Sequence, residues 1–378
     1  MYYMKHLKLI VALIAILSFL PSQAQFEFQT CIETSRNSWE WPGHKNWFIG
    51  DGPVTWSEPG IILNFEAGGF TKTTLLSDVG PYYGIPVYEG ITSASDDNGD
   101  LVVFSNGRFA WDATGKQVSD DIKEGNEGGF NKVGSAAQGI LSVRHPLVPE
   151  KYYLVTTSDV IGAGPNVSYN TFDTSGVEIG GNTELPGSFI SAEGIAATFH
   201  ANGIDIWVTI LERSSPNFHS WLLTCNGFVD NPVISPVANP VQGDPARGGI
   251  AFSHDSKKLA AVFGGSGTVR NTVFDFNNLT GEISNRQNVG TVLGYDVVWT
   301  KDNQNLLIGG IGLGNFLVDA TTGSSTKIVG PNDAHHAVEI GGDGHYYLNG
   351  VDGLWRWSGS GNAVKVDGST GQGLPTIY

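Results

Sequence analysis

Two carboxylates, an amide, a phenol and an imidazole recur at one place in a repeated pattern. Glu89, Gln138, Glu193, Gly248, Tyr295 and His336 each stand two residues before the apolar residue that opens a short hairpin. If those hairpins radiate from an axis, the six positions ring one end of it. Carboxylate, amide and imidazole groups converging there could hold a cation such as Ca²⁺, which prefers oxygen ligands. Glu89, Glu193 and His336 could instead act as acid and base on a carbohydrate, as a hydrolase or lyase would require. The plainer alternative is a polar rim, solvated or hydrogen-bonded to the backbone of the next repeat. No resident cofactor is expected.

Other candidate constellations are weaker. In Asp333-Ala-His-His336 the two histidines are adjacent, so on a strand they point to opposite faces and cannot share a metal. Asp96-Asp-Asn-Gly-Asp100 is acidic, but it lacks the alternating ligands and distal Glu of a calcium loop and reads as a turn. Ser253-His254-Asp255 has the residue types of a nucleophilic triad, yet neighbours in sequence seldom converge, and no Gly-x-Ser-x-Gly elbow exists. Gly310-Ile-Gly-Leu-Gly314 lacks dinucleotide-binding spacing. Trp355 and Trp357 sit at recurring aromatic positions and are expected to pack between repeats. Trp39, outside the repeats, is the candidate for a partner contact or for stacking on a sugar.

The elements that must position these residues come from the repeat itself. Ile250 to Asp255 matches Ile91 to Asp96, Ile140 to His145, Ile195 to His200, Val297 to Asp302 and Val338 to Asp343. Each copy is an apolar strand, a polar turn and a second apolar run, which is a hairpin signature. The copies begin 41 to 55 residues apart, the spacing of a propeller or similar array. A second signature follows each first one: Trp111-Asp-Ala-Thr-Gly115, Phe172 to Gly176, Leu223 to Gly227, Phe276 to Gly281, Val318 to Gly323 and Trp357 to Gly361. Short polar side chains bond their own backbone there, and glycine supplies the positive φ of a tight turn. Two hairpins per repeat make one four-stranded blade.

Six such repeats, with one more blade opened by Asn46-Trp-Phe-Ile-Gly50 and continued by Ile61 to Phe65, give seven. The fold class expected is all-β, a seven-bladed β-propeller of four-stranded antiparallel blades over 46–378. Residues 25–45 form a polar lead across its outside. Leu374 to Tyr378 is expected to pack or pair with the first blade and close the ring.

Residues 1–24 have the form of a signal peptide: Lys5 and Lys8, an apolar run from Leu9 to Leu20, and Ser22-Gln-Ala24 before the cut. Its apolar run is short of the about 20 residues that span a bilayer, so no transmembrane segment is expected in the mature chain. Cleavage leaves 354 residues and, with both lysines gone, a formal net charge of −18 in place of −16. That acidity argues against nucleic acid and against anionic lipid as partners. Cys31 and Cys225 enter an oxidising compartment on this reading. A disulfide between them and two unpaired thiols both stay open.

The strand–turn–strand Phe252-Ser-His-Asp-Ser-Lys-Lys-Leu259 resembles that of WD-type and TolB-type propellers. Asn46 to Gly50, Tyr88 to Phe104, Phe199 to Val208 and Gly373-Leu-Pro375 resemble, over nearly the whole mature chain, the envelope propellers of Bacteroidota found in gliding and type 9 secretion proteins. The resemblance implies an exported binding or scaffold role without catalytic residues. The expected partner is an envelope protein such as an outer-membrane translocon or gliding component. The expected location is the periplasm, the outer membrane or the cell surface. It departs from the usual pattern in that no adhesive module or C-terminal sorting domain follows the propeller. The alternative function is a carbohydrate-active or glycan-binding propeller.

Overall fold

The computed structural model of the chain describes residues 45–50, 60–67, 69–75, 89–120, 122, 136–157, 167–237, 248–263, 271–310, 312–328, 337–350, 352–368 and 374. Among them are 28 β-strands and no α-helix, and no helix long and apolar enough to cross a membrane. The strands form seven antiparallel sheets over 46–75, 92–119, 140–184, 191–236, 250–288, 294–328 and 338–367, here blades 1 to 7. Blades 2, 3, 5, 6 and 7 each run through four strands in sequence order. The innermost strands, Thr92–Ser95, Ile140–Arg144, Ser191–Phe199, Ile250–Phe252, Gly294–Trp299 and Val338–Ile340, lie each against the next. This is the expected seven-bladed propeller.

Blade 4 departs from the rule at its rim. Gly227–Phe228 and Val233–Pro236 both pair with Asn217–Thr224, so the outer strand is interrupted. Asp230-Asn231-Pro232 stands in the gap, and a proline has no N–H to give the ladder. Blade 1 shows three described strands, Asn46–Gly50, Gly60–Glu66 and Gly69–Leu75. Leu374 is buried in one cluster with Trp47 and Phe48, so the C-terminal stretch does meet the first blade at that residue.

Both kinds of turn follow the chemistry read from the sequence. Gly115, Gly176, Gly227, Gly281, Gly323 and Gly361 all have φ between +70° and +96°, a range only glycine enters without strain. Asp112, Asp173 and Asp319 each accept the backbone N–H two residues on, at 2.9, 2.8 and 2.9 Å. In the inner hairpins Asp96, Asp302 and Asp343 do the same. In blades 3 and 4 a histidine replaces the carboxylate: Nδ1 of His145 accepts from Val148 N, and Nδ1 of His200 from Asn202 N. Burial lowers the His145 pKa, which suits a neutral, accepting ring.

The core lies between blades, not within one. Most strands are buried on both faces because each sheet is sandwiched by two others. Leu141, Val143, Ile195, Ile210 and Trp221 fill the space between blades 3 and 4. Val262, Val273, Trp299 and Ile308 fill that between 5 and 6. Side chains also tie one blade to the next. Ser142 Oγ donates to Ser93 O at 2.8 Å, and Ser93 Oγ to Asn46 O at 2.7 Å.

Blade 7 closes on blade 1 through the Tyr347 ring, whose centroid is 5.2 Å from Phe65 and 5.4 Å from Trp47 in edge contacts. Outside these rings Lys72 and Asp367 form a surface ion pair at 3.2 Å. Exposed pairs contribute little, so Lys72→Ala is expected to change unfolding free energy by under about 1 kcal/mol. A urea titration giving a loss of several kcal/mol would transfer the closure from the rings to the ion pair.

Candidate functional site

Antiparallel connection fixes which ends meet. The start of every inner strand, the end of the second and the start of the third share one edge of the ring. Glu89, Gln138, Glu193, Gly248 and Tyr295 are found at the starts of inner strands, all buried. The structure therefore gathers five of the six residues at the axial end; His336 lies outside the described residues.

What these side chains do there is clasp strands. Gln138, on blade 3, donates from Nε2 to Asp296 Oδ1 on blade 6 at 2.9 Å. Its Oε1 accepts from Ile250 N on blade 5 at 2.8 Å. Asp296 also accepts from Val297 N at 2.8 Å, and its Oδ2 accepts from Val338 N on blade 7 at 3.0 Å. One amide and one carboxylate thus join the inner strands of four blades. Glu193 Oε2 accepts from Ala137 N at 3.1 Å, and Glu193 O from Thr157 Oγ1 at 2.9 Å, which ties blade 4 to blade 3. Gly249 gives the clasp its room. A Cβ there would stand 2.7 Å from Asp296 Oδ1 and 2.9 Å from Gln138 Cδ, closer than atoms pack.

Strict repeat spacing points to Tyr295, whereas it is its neighbour Asp296 that makes these bonds. Pairing shifts register between Gly294 and Asp296, which is a bulge. A bulge adds one residue and re-aims the following side chain, so the carboxylate takes the inward position that strict spacing gave to the phenol. No signal in a single sequence marks that bulge beyond Gly294 itself.

The electrostatics of this end are unusual for so acidic a chain. Burial pushes Asp296 up to about 7, against the pull of the three hydrogen bonds it accepts. Glu339, next to Val338 on blade 7, is pushed up to about 8 by burial and by the Asp296 charge, with the bond from Ile340 N acting the other way. Asp296 is closed off, whereas Glu339 is enclosed yet keeps part of its surface open. Among the described residues no three His, Cys, Asp or Glu side chains converge as a metal site would require.

The remaining candidates fall where turn and packing chemistry put them. Asp96 spends its Oδ1 on Asn98 N and Asp100 N, and Asp97 pairs with Arg144. Ser253 Oγ donates to Asp255 at 2.7 Å, while the His254 ring turns to Trp299 O on the next blade at 3.2 Å. Trp357 is buried, and its Nε1 donates to Gly361 O at 3.0 Å; Trp355 packs half-buried in the same cluster. Cys225 is partly exposed in the outer turn of blade 4. Trp39, Cys31, His335 and the rest of Asp333 to His336 lie outside the described residues.

Fold and site together define a β-propeller whose inner strands are tied to one another at the axial end by side chains from several blades. A solved structure similar to it is the β-propeller domain of Cps50 (Swd1) from Myceliophteria thermophila, 12% identical, with a TM-score of 0.51 over 88% of this chain and 97% of that one. Also similar are a protein of unknown function from Desulfotomaculum acetoxidans, with 12% identity and a TM-score of 0.48 over 88% and 99%, and a Bacteroides uniformis protein named as a 6-phosphogluconolactonase, with 12% identity and a TM-score of 0.46 over 86% and 98%. At such identity the likeness speaks for the fold alone. No protein-family model and no curated protein matches the chain in sequence.

Proposed function

We propose that this chain is a non-enzymatic binding module that docks a partner protein in the envelope of a Bacteroidota-type cell, as an accessory part of a type 9 secretion or gliding apparatus. The observation that carries the binding role is where apolar surface is left open. Of the large hydrophobic side chains exposed among the described residues, Ile179 and Ile234 lie on the outer strands of blades 3 and 4, Val177 and Val229 beside those strands, and Ile190 between the two blades, while Val148, Leu279, Leu313 and Val364 are exposed away from them. Ile179 and Ile234 are 55% and 53% exposed, although both sit in strands. Apolar surface concentrated on one sector marks an interaction site more often than scattered residues do. Propellers host unrelated functions, so the fold is neutral here. The polar groups at the axial end support the same reading, because Gln138, Glu193 and Asp296 bind strands to one another.

The test is affinity capture of the tagged, exported chain from native membranes. One stoichiometric partner is expected, and Ile179→Lys with Ile234→Lys is expected to cut its recovery at least roughly tenfold, as loss of a buried apolar contact would. Capture of no partner, or equal capture by the double variant, would remove the proposal. One observation favours a second reading, turnover or binding of a glycan. A carboxyl held near neutrality, as Glu339 is, has the poise of a general acid. Activity on a glycan panel that disappears in Glu339→Gln would replace the first reading with the second.

A further inference from the structure

Strand register shows that the exposed isoleucines of blades 3 and 4 look into one gap. Ile234 pairs with His219, whose ring stacks on Trp221 in the cluster between these two blades. Cross-strand partners share a face, so Ile234 is turned toward blade 3. Phe228 pairs with Leu223 of the same cluster, and its ring lies 5.2 Å from Tyr169 and 5.5 Å from Tyr153 of blade 3. On the opposite wall Glu178 pairs with Phe172, which packs toward blade 2. The next residue along a strand points the other way, so Ile179 is turned toward blade 4.

The segment joining the two blades floors that gap. Trp221 Nε1 donates to Pro186 O at 2.9 Å, and the Phe189 ring lies 4.0 Å from that of His219. Ile190, 44% exposed, follows just before the inner strand of blade 4. Phe228 and Ile234 pair four residues apart on Asn217–Thr224, so the apolar trough runs along the strands. Gly180 and Gly181 add no side chain to its other wall. The far face of blade 4 differs: there Ser235 Oγ accepts from Ile283 N of blade 5 at 2.8 Å and ties the rim shut. The wall strand Glu178–Glu184 has seven residues. An extended occupant of about the same length, rising about 3.3 Å per residue, matches it.

The charge around the trough has one sign. From Gly176 to Val237 the chain carries Glu178, Glu184, Glu193, Asp205, Glu212 and Asp230 against a single lysine or arginine, Arg213. Glu184 ends one wall, Asp230 stands in the interrupted strand of the other, and both are exposed. Glu212 Oε2 accepts from Asn217 Nδ2 at 2.9 Å, on the strand that pairs with Ile234. We propose that this trough binds an extended segment of the partner protein in which apolar residues alternate with Lys or Arg. The apolar side chains, every second residue, seat against Ile179, Phe228 and Ile234. The bases between them meet the carboxylates at the rim. A second copy of this chain would bring the same acidic surface to the same place and be repelled. The inference rests on the docking role proposed above and adds the chemistry of what docks.

The experiment titrates the mature chain into three fluorescent peptides of about seven residues, alternating Val-Lys, alternating Val-Glu and alternating Ser-Lys, and reads anisotropy. Val-Lys is expected to bind at least roughly tenfold more tightly than either of the others, since apolar contact and opposite charge are both required. Ile179→Lys with Ile234→Lys should remove that preference, and Glu184→Lys with Asp230→Lys should transfer it to Val-Glu. All four positions are exposed, so both double variants should keep the wild-type urea midpoint. Equal binding of the three peptides, no binding of Val-Lys, or a Val-Lys preference that survives either double variant overturns the proposal. Membrane capture separates the two claims. A partner whose recovery depends on Ile179 and Ile234 while no peptide binds would sink the alternating basic segment and leave the docking role standing.

Discussion

Trp299→Ala is expected to lower the unfolding free energy by about 4 kcal/mol, the usual cost of emptying a core tryptophan site. The side chain is fully buried between blades 5 and 6 among Ala260, Val262, Leu306 and Val318. Its Nε1 donates to Ala251 O across the blade boundary at 2.9 Å, so the truncation also orphans a carbonyl. The space cannot collapse readily, because its walls are strands already fixed in two sheets. Urea unfolding of the variant measures the loss. Trp355→Ala is the control, since that ring is only half-buried in its cluster and should cost markedly less. Similar losses for the two would contradict a core located between blades.

Asp296→Ala should cost about 3 kcal/mol at pH 6, below the value of about 7 to which burial lifts this carboxyl, because buried neutral donors are left without an acceptor. Three donors lose their acceptor at once: Gln138 Nε2, Val297 N and Val338 N. A buried donor left bare costs about 1–3 kcal/mol, and water entering at the axial end would recover part of that. Gln138→Ala breaks only two of the contacts, to Asp296 and to Ile250 N, and should cost less. A double variant that costs no more than Asp296→Ala would confirm that the two residues act as one clasp. Additive losses would mean that each holds its strands independently.

The blades were legible because their turns demand particular residues. Each of the six outer turns needed a glycine at positive φ, and each inner turn a short acceptor, so spacing counted six of the seven sheets. His145 and His200 fit the pattern because an imidazole Nδ1 can accept where a carboxylate otherwise would. The clasp was legible only in part. Gln138 and Glu193 stood out by position, but their partners are chosen by geometry across the axis, 158 residues away for the Gln138–Asp296 bond. Asp296 escaped because one added residue inverts the alternation on which the choice of facing residues rests. Glu339 escaped because it comes one residue after the opening Val338, a position the spacing rule did not inspect. The interrupted rim of blade 4 could have been suspected from Pro232, but a lone proline does not say where pairing resumes.

The Tyr347 contact with Trp47 and Phe65 bears on how the molecule is made. The first and seventh sheets meet across a loop of nearly three hundred residues, so that seam can form only when the last of them has been synthesised. Until then Trp47 and Phe65 await their cover, and the growing chain offers an adhesive flank to any neighbour. Native pairing so distant in sequence is slow to find. The folding yield of this chain is therefore expected to respond to chaperone supply more steeply than its equilibrium stability would suggest.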